Sequence, residues 1–337
     1  QHRNTQLKIY SNCGIHGFRH DRGHWDSAPF THPSTFESIA LDPELHTRIL
    51  DDLEGFRENQ ELYRHLGRAW KRGYLLHGPP GTGKSSLIAA IANRLHYDIY
   101  DLELTSVADN AELKTLLMRT TRKSIIVIED IDCSFQFADR GIPQQQVSSD
   151  PASDGPEPDA NDDTKEGSTT STSTSTSKSH GATDPASKLT LSGLLNFTDG
   201  LWSGCAEERI FIFTTNFKER LDPALLRPGR MDMHIHLSYC TPAVVEKLAH
   251  TYLDGASREA HPELFAELEE AARAVHTVTP AAAAELFIGH GHRGEGQGHD
   301  PEAALKAVIE AIRTSADALL KTGVGTNEWE VAYRKHE

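Results

Sequence analysis

The chain is poor in cysteine, in positive charge and in long apolar runs. Its four cysteines, among 337 residues, form no Cys-x-x-Cys pair and no Cys/His spacing typical of a zinc site, so we expect reduced thiols in a reducing compartment. No apolar run reaches the length of about eighteen residues that a transmembrane helix needs. The formal net charge of −15 disfavours non-specific nucleic-acid binding, because a phosphate backbone is bound by a basic surface.

The chain also lacks an initiator methionine and the apolar segment of a signal peptide. It starts at Gln1 with a polar stretch rich in His, Arg and Gly. We therefore expect a piece of a longer protein, in which any anchor or targeting signal lies upstream.

One long stretch has too few apolar residues to form a core. From about Gln136 to Ser187 the composition shifts to Gln, Pro, Asp, Ser and Thr, with an unbroken Ser/Thr run at 168–177. Such a segment buries too little apolar surface to fold, so we predict a disordered insertion. Its hydroxyl groups are either part of a solvated linker or sites of phosphorylation.

The most informative stretch is a glycine-rich turn between a predicted strand and a predicted helix. Gly78 is followed by four residues and then by Gly83-Lys84-Ser85, which is the spacing of a phosphate-binding loop. Its backbone N–H groups and the start of the helix bind phosphate oxygens, Lys84 adds charge for the β- and γ-phosphates, and Ser85 offers a hydroxyl to Mg²⁺. The residues expected to hold the nucleotide are Gly78, Pro79, Pro80, Gly81, Thr82, Gly83, Lys84, Ser85 and Ser86.

Acidic and amide side chains follow two further predicted strands. Glu129 and Asp130 end the run Ile125–Ile128, where Glu129 is placed to bind the metal and Asp130 to polarise the attacking water. Asn216 ends the strand that begins at Arg209 and could bond the γ-phosphate or the water. The alternatives are two acidic residues that cap a strand and an asparagine that closes a turn.

Two arginines stand three residues apart on a Pro-Gly elbow. Arg227 and Arg230 suit the transition-state charge of a transferring phosphoryl group. If they face outward, they reach the nucleotide of a neighbouring chain rather than their own. The alternative is salt bridging at a domain surface.

Apolar strands alternate with amphipathic helices as far as Leu237, and a short helix is predicted to begin at Asp222-Pro223. The alternation predicts a doubly wound parallel α/β sheet with right-handed crossovers. After Thr241-Pro242 only helical patterns remain, which predict a small all-α lid. The expected division is an N-terminal segment at 1–33, an α/β core at 34–240, a lid domain at 241–322 and a flexible tail at 323–337.

These motifs together resemble the AAA ATPases over about 34–320, without the insertion. The Walker A motif corresponds to 78–85, the Walker B motif to 125–130, and the second region of homology to 214–230. The resemblance implies a P-loop NTPase fold with an AAA+ core, ATP and Mg²⁺ as cofactors, and a homo-oligomeric ring of six or seven subunits.

The chain further resembles the Bcs-type branch, in particular its plant members, some of them mitochondrial. The resemblance rests on four sequence motifs: His-Pro-Ser-Thr-Phe at 32–36, Trp-Lys-Arg-Gly-Tyr-Leu-Leu at 70–76, Tyr-Asp-Leu-Glu-Leu-Thr at 100–105 and Val-Ile-Glu-Asp-Ile-Asp-Cys-Ser at 127–134. This resemblance implies that 1–33 ends a family-specific domain that follows an N-terminal membrane anchor. It also implies association with a mitochondrial or endoplasmic reticulum membrane.

Several features that other AAA proteins carry are missing. No aromatic residue occurs at Thr105–Asp109, the position of a threading pore loop, and no His-Glu-x-x-His protease motif follows. No arginine stands near Thr279-Pro280-Ala281, the sensor-2 position. The order Glu129-Asp130 also reverses the common Asp-Glu, and this order is usual in the Bcs branch.

The favoured hypothesis is an Mg-dependent ATP hydrolase that remodels or translocates a protein client as a ring. The second is a nucleotide-gated scaffold with little turnover, because the Asp130 side chain is one methylene shorter than Glu. The third is a nucleic-acid motor, for which the sequence offers no basic stripe and no aromatic stacking series.

Overall fold

The computed structural model describes residues 6–13, 24–132, 189–199, 208–253, 258–274, 278–291 and 301–322. The predicted disordered insertion at 136–187 and the predicted tail at 323–337 lie outside these ranges.

A seven-stranded sheet is formed by the described residues up to 236. Its spatial order is β2-β1-β4-β5-β6-β3-β7, and only the β1–β2 pair is antiparallel. The predicted α/β fold is therefore confirmed, with one antiparallel strand added at an edge. In chain order the strands are β1 (Lys8–Ser11), β2 (Asp26–Pro29), β3 (Lys71–His77), β4 (Asp98–Asp101), β5 (Ser124–Ile128), β6 (Arg209–Thr215) and β7 (Met233–His236).

The helices fall into two groups. Those of the sheet region are α1 (Pro43–Glu58), α2 (Gln60–His65), α3 (Lys84–Leu95), α4 (Asn110–Met118) and α5 (Leu191–Asp199). Those of the C-terminal helical unit, called the lid below, are α6 (Pro242–Tyr252), α7 (Pro262–Ala274), α8 (Pro280–Gly291) and α9 (Pro301–Thr322). The lid buries its own apolar cluster. None of the helices in the described ranges combines the length and the apolar character needed to cross a bilayer.

The central strands β5 and β6 are buried along their whole length. Successive side chains point to opposite faces, so Val127 packs in one apolar cluster while Ile126 and Ile128 pack in another. Each such side chain contributes roughly 1.5–3 kcal/mol when it is fully buried. This two-sided burial fixes the register that brings the carboxyl ends of β3, β5 and β6 to one edge.

Strands β1 and β2, from the described parts of the N-terminal segment, belong to the sheet. Strand β1 pairs in parallel with β4, with Ile9 opposite Ile99, and the Tyr10 and Tyr100 rings stack with their centroids 4.4 Å apart. The two described strands before residue 33 therefore extend the sheet of the α/β core.

The prediction of a short helix that begins at Asp222-Pro223 is wrong, because residues 223–226 form turns. A helix would need an N–H from residue 228 for the Ala224 carbonyl, and Pro228 has none. The Arg230 Nη1 donates to that carbonyl instead, at 2.6 Å. The segment therefore becomes an elbow, held by side chains.

The sequence predicts strands at Ile99–Leu104, where apolar and acidic residues alternate, and at Ser124–Ile131, a β-branched run, and both strands end earlier in the structure. β4 ends at Asp101 and is followed by a 3₁₀ turn over Leu104–Ser106. β5 ends at Ile128, because Asp130 has a φ of 46° and the chain there leaves the extended conformation. Because β4 and β5 end at these positions, the acidic residues that follow them leave the sheet at its carboxyl edge.

Candidate nucleotide-binding site

The loop between β3 and α3 has the backbone geometry that its glycines permit. Gly78, Gly81 and Gly83 have φ values of 138°, 78° and 93°, a region that side chains disfavour. A Cβ on Gly78 would also lie 1.9 Å from the Leu237 carbonyl oxygen. The loop is therefore tightly packed against the strand end beside it.

Helix α3 begins at the end of this loop without a side-chain cap. Its N-cap is Gly83, which offers no side-chain acceptor to the first N–H groups of the helix. Those groups and the helix dipole make an anion site at the start of α3.

The Lys84 ammonium lies across the loop and reaches β6. It donates to the carbonyl oxygens of Gly78 and Pro79 at 2.8 and 2.9 Å, and to Asn216 Oδ1 at 2.7 Å. Burial lowers the pKa of Lys84 below its ordinary value, while the charges of Asp130 and Glu129 act in the opposite direction. The structure thus brings together the predicted loop lysine and the predicted strand-end asparagine.

The acidic pair after β5 contacts the start of α3 and the end of β6. Ser85 Oγ donates to Glu129 Oε1 at 3.3 Å, which joins the two residues predicted to hold the metal. The Asp130 N–H donates to Thr214 Oγ1 at 3.0 Å, so β6 fixes the turn that presents this carboxylate. Both acidic residues are exposed and line the same cavity.

The cavity over the loop has a volume of about 690 Å³. The segment before α1 and the lid also form walls of the cavity. The sequence predicted no site residue in either region. Two sequence features mark these regions, the Pro-Ser break at 33–34 and the helix start after Thr279. Neither feature shows which part of the chain the region packs against. The walls from these two regions are Pro33, Ser34, Ser38, Ile39 and Ala40, and Leu248, Thr251, Tyr252, Pro280, Ala281 and Ala284.

The lid contacts the loop directly. The Ala281 N–H, in the first turn of α8, donates to the Gly81 carbonyl at 3.1 Å. A Cβ on Gly81 would lie 3.2 Å from Thr279 Oγ1. The phosphate loop and the lid are therefore coupled through backbone contacts.

The two arginines do not reach this cavity. Arg230 is held in the elbow by its bond to Ala224 and by Asp199, whose Oδ2 lies 3.6 Å from the arginine Nε. Arg227 is exposed, and its side chain has no hydrogen bond or ion pair with any residue that the structure describes. Neither lines the cavity of its own chain.

A family model and curated relatives match the chain. The model, described as the ATPase family associated with various cellular activities (AAA), matches residues 74–152 and 172–239. AAA-ATPase At3g50940 of Arabidopsis thaliana is 50% identical over 78% of the chain, and AAA-ATPase At5g57480 of the same plant is 47% identical over 95%. The chain belongs to the AAA ATPase family. Protein HYPER-SENSITIVITY-RELATED 4 of the same organism is 48% identical over 84% of the chain.

This AAA ATPase spans about half the length of the curated relatives that it matches: 50%, 58% and 43% of these three. Membership of the family implies nucleotide binding and supports an ATP-driven activity. The geometry of the loop between β3 and α3 agrees with that implication.

One further carboxyl group of this AAA ATPase lies near the acidic pair and was missed in the sequence. Asp101 ends β4, beside Val127 of β5. Burial raises its pKa to about 6, and the charges of Glu129 and Glu103 act in the same direction. The pairing of β4 with β5 places it there, since Asp101 and Glu129 lie 28 positions apart in the chain.

Proposed function

We propose that this AAA ATPase hydrolyses ATP and that the reaction requires a second copy of the chain. The observation that carries the proposal is the distribution of positive charge. Among the described residues, Lys84 is the only basic side chain that lines the cavity, while Arg227 stands exposed on an elbow elsewhere. In related phosphoryl transfers an arginine, supplied by the same chain or by a partner, stabilises the transition-state charge in addition to the loop lysine and Mg²⁺.

The phosphate end of ATP would lie at the start of α3. The loop N–H groups and the α3 dipole bind its oxygens, and Lys84 exchanges its carbonyl partners for the β- and γ-phosphates. Asn216 accepts a hydrogen bond from Lys84, and in this position it would contact the γ-phosphate or the attacking water.

The residues around Ser85 fit Mg²⁺. A hydroxyl and a carboxylate oxygen 3.3 Å apart, from Ser85 and Glu129, are hard ligands of the kind that this ion prefers. When bound, Mg²⁺ neutralises charge on the phosphate oxygens. Glu129 would hold it, and Asp130, turned out by its positive φ, would orient the water and accept its proton.

The opposite end of the cavity suits a nucleobase. Ile39 and Ala40 on one side and Leu248 and Tyr252 on the other form apolar walls. Apolar walls with a few polar groups are typical of cofactor sites. A base held between the core and the lid would couple ATP binding to the position of the lid.

The larger activity follows from the resemblance to the Bcs-type branch. We propose a homo-oligomeric ring that remodels or translocates a protein client at a membrane, mitochondrial or of the endoplasmic reticulum. No aromatic residue occurs at 105–109, which favours moving a client without threading it. A regulated scaffold with little turnover is the second candidate, favoured by the short Asp130 side chain.

Phosphate release by the purified protein tests the proposal. We expect Mg-dependent hydrolysis that rises more steeply than linearly with protein concentration. Lys84→Ala should weaken ATP binding at least about a hundredfold, because hydrogen bonds to charged groups contribute roughly 1.5–3 kcal/mol each. Tight ATP binding without phosphate release would support the scaffold. Activation by DNA or RNA would support a nucleic-acid motor.

A further inference from the structure

Strand β6 continues past the end of β5 and carries two buried threonines there. The pairing of the two strands ends with Ile128 opposite Phe213. The next residues of β6, Thr214 and Thr215, are 3% and 0% exposed. Neighbouring residues of a strand point to opposite faces, so the two hydroxyl groups meet different partners. Thr214 lines the nucleotide cavity, whereas Thr215 does not.

A buried carboxylate lies beside Thr215. Asp132 is 5% exposed and accepts a hydrogen bond from Thr215 Oγ1, with the two oxygens 2.6 Å apart. A hydrogen bond of this length from a hydroxyl to a carboxylate is charge-assisted and stronger than one between neutral groups. Unlike Glu129 and Asp130, Asp132 does not line the cavity. Any effect of this carboxylate on a bound nucleotide is therefore indirect.

The same threonine hydroxyl holds the backbone on the far side of Asn216. Because its hydrogen points to Asp132, a lone pair of Thr215 Oγ1 is left to accept from the Phe217 N–H, at 3.0 Å. A hydroxyl that accepts from the N–H two residues later closes a tight turn around the residue between them. That residue is Asn216, whose Oδ1 accepts from Lys84. A chain of hydrogen bonds thus runs from the buried carboxylate to the peptide bond that follows the asparagine.

We propose that Asp132 is a positioning residue for ATP hydrolysis and that it acts through Thr215 to hold Asn216 in place for the reaction. The inference rests on the proposed function, in which Asn216 contacts the γ-phosphate or the attacking water. A second bond joins the same strand ends, because the Asp130 N–H donates to Thr214 Oγ1 at 3.0 Å. The two bonds fix the acidic pair after β5 and the amide after β6 relative to each other.

The charge of Asp132 provides a second route to the site. Burial lowers the pKa of Lys84, and the charges of Asp130, Glu129 and Asp132 oppose this effect. A carboxylate that acted only through its charge would repel the phosphates of ATP and ADP alike, so its removal would raise the affinity for both nucleotides. A carboxylate that acts through Thr215 changes kcat instead. The two routes therefore differ in the quantity that a substitution alters.

The first test removes the hydroxyl and keeps the shape of the side chain. Thr215→Val should lower kcat for ATP by roughly 10–100-fold, since a misplacement of about 1 Å in a catalytic geometry costs about 10²-fold. KM for ATP and the affinity for ADP should stay at the wild-type values, because Lys84 and the loop still hold the nucleotide. Thr215→Ser retains the hydroxyl and should recover most of the lost kcat.

Thr120→Val is the matched control for loss of a buried threonine hydroxyl. Thr120 is 6% exposed, and its Oγ1 donates to the Leu117 carbonyl at 2.9 Å. It follows α4 and does not line the nucleotide cavity. We expect this variant to keep the kcat of the wild-type protein, so that a loss in Thr215→Val reports the position of the hydroxyl and not its burial.

The second test asks whether the hydroxyl acts through the asparagine. In a chain that already carries Asn216→Ala, Thr215→Val should lower kcat no further, because the group that the hydroxyl positions is absent. Equal losses of kcat in the two backgrounds would mean that the threonine supports the fold in general, and they would overturn the proposal.

Asp132→Asn keeps the proposal testable if Thr215→Val does not fold. The amide retains an oxygen that can accept the hydroxyl hydrogen but loses the charge. We expect a smaller loss of kcat than in Thr215→Val, again absent in the Asn216→Ala background. A raised affinity for both ATP and ADP at an unchanged kcat would assign Asp132 to its charge alone and overturn the positioning role.

The outcomes separate this inference from the proposed function. A wild-type chain that hydrolyses ATP, together with a Thr215→Val variant that hydrolyses it at the same rate, overturns the positioning role alone. A wild-type chain that binds ATP without hydrolysing it overturns the proposed function and this inference together.

Discussion

The Lys84 ammonium donates a hydrogen bond of 2.7 Å to Asn216 Oδ1 across 132 positions of the chain. This contact joins the phosphate loop to the carboxyl end of β6, which pairs with β3 along its whole length. The lysine proposed to bind phosphate and the amide proposed to contact the γ-phosphate are therefore joined directly. A change at either should alter catalysis in a distinct way.

Asn216→Ala should lower kcat for ATP by about 10²–10³-fold, the usual cost of removing one positioned donor of an active site. ADP affinity should change little, because ADP lacks the γ-phosphate that Asn216 is proposed to contact. Steady-state kinetics and calorimetric titration with ADP check this pair of results. An equal loss of ADP affinity would assign the residue to holding Lys84 alone.

We expect the two acidic residues to have different roles: Glu129 holds the metal ion, and Asp130 acts on the attacking water. Asp130→Asn should retain ATP binding while it lowers turnover by about 10²–10⁴-fold, the range for loss of a general base. Glu129→Gln should instead raise the Mg²⁺ concentration needed for half-maximal activity. Titrating Mg²⁺ against both variants measures the division, and a reversed pattern would exchange the two assignments.

The two arginines should differ in their effect on stability. Arg227→Ala should reduce turnover on the order of 10³-fold or more and leave the melting temperature unchanged, because the Arg227 side chain has no partner among the described residues. Arg230→Ala should also destabilise the fold by about 1–3 kcal/mol, since it removes the bond to Ala224.

A mixing experiment then decides whether Arg227 acts on a neighbouring chain. Arg227→Ala retains an intact phosphate loop, and Lys84→Ala retains an intact arginine. If the arginine enters the adjacent site, mixtures of the two inactive proteins should recover part of the activity. Mixtures as inactive as their components would place the arginine's role within its own chain.

Asp101 should make the protein less stable as its carboxyl group ionises. Its pKa is about 6 in the folded chain against an ordinary value of 3.8. Between these values the folded state binds more protons, so the free energy of unfolding falls as pH rises through the window. Asp101→Asn should therefore exceed wild type in stability above about pH 6 and match it below about pH 4.

Denaturant unfolding from pH 4 to 8 measures this difference. Burial lowers the pKa of His77 to about 3, which acts in the opposite direction but equally in both proteins. Asp51→Asn, at an exposed position of α1, is the control for loss of one negative charge. A gain in stability that is independent of pH would attribute the Asp101 effect to causes other than its ionisation.

The fold class could be read from the sequence because its strongest signals are local. The short apolar runs at Ile125–Ile128 and Ile210–Phe213 favour strands buried on both faces, and the structure buries every residue of both runs. Element ends were less predictable. The strand after Ser124 stops at Ile128. The turn after Asp222 never becomes a helix, because Pro228 has no N–H for the Ala224 carbonyl, and the Arg230 side chain donates to that carbonyl instead.

By itself, the sequence determined the phosphate loop, because the positions of Gly78, Gly83, Lys84 and Ser85 are fixed by a spacing within eight residues. The tertiary structure alone decided what surrounds that loop. The segment before α1, the lid wall at Ala281 and the Asp101 carboxyl meet it through contacts between distant parts of the chain. No local pattern encodes such contacts, since they depend on strand order and helix packing.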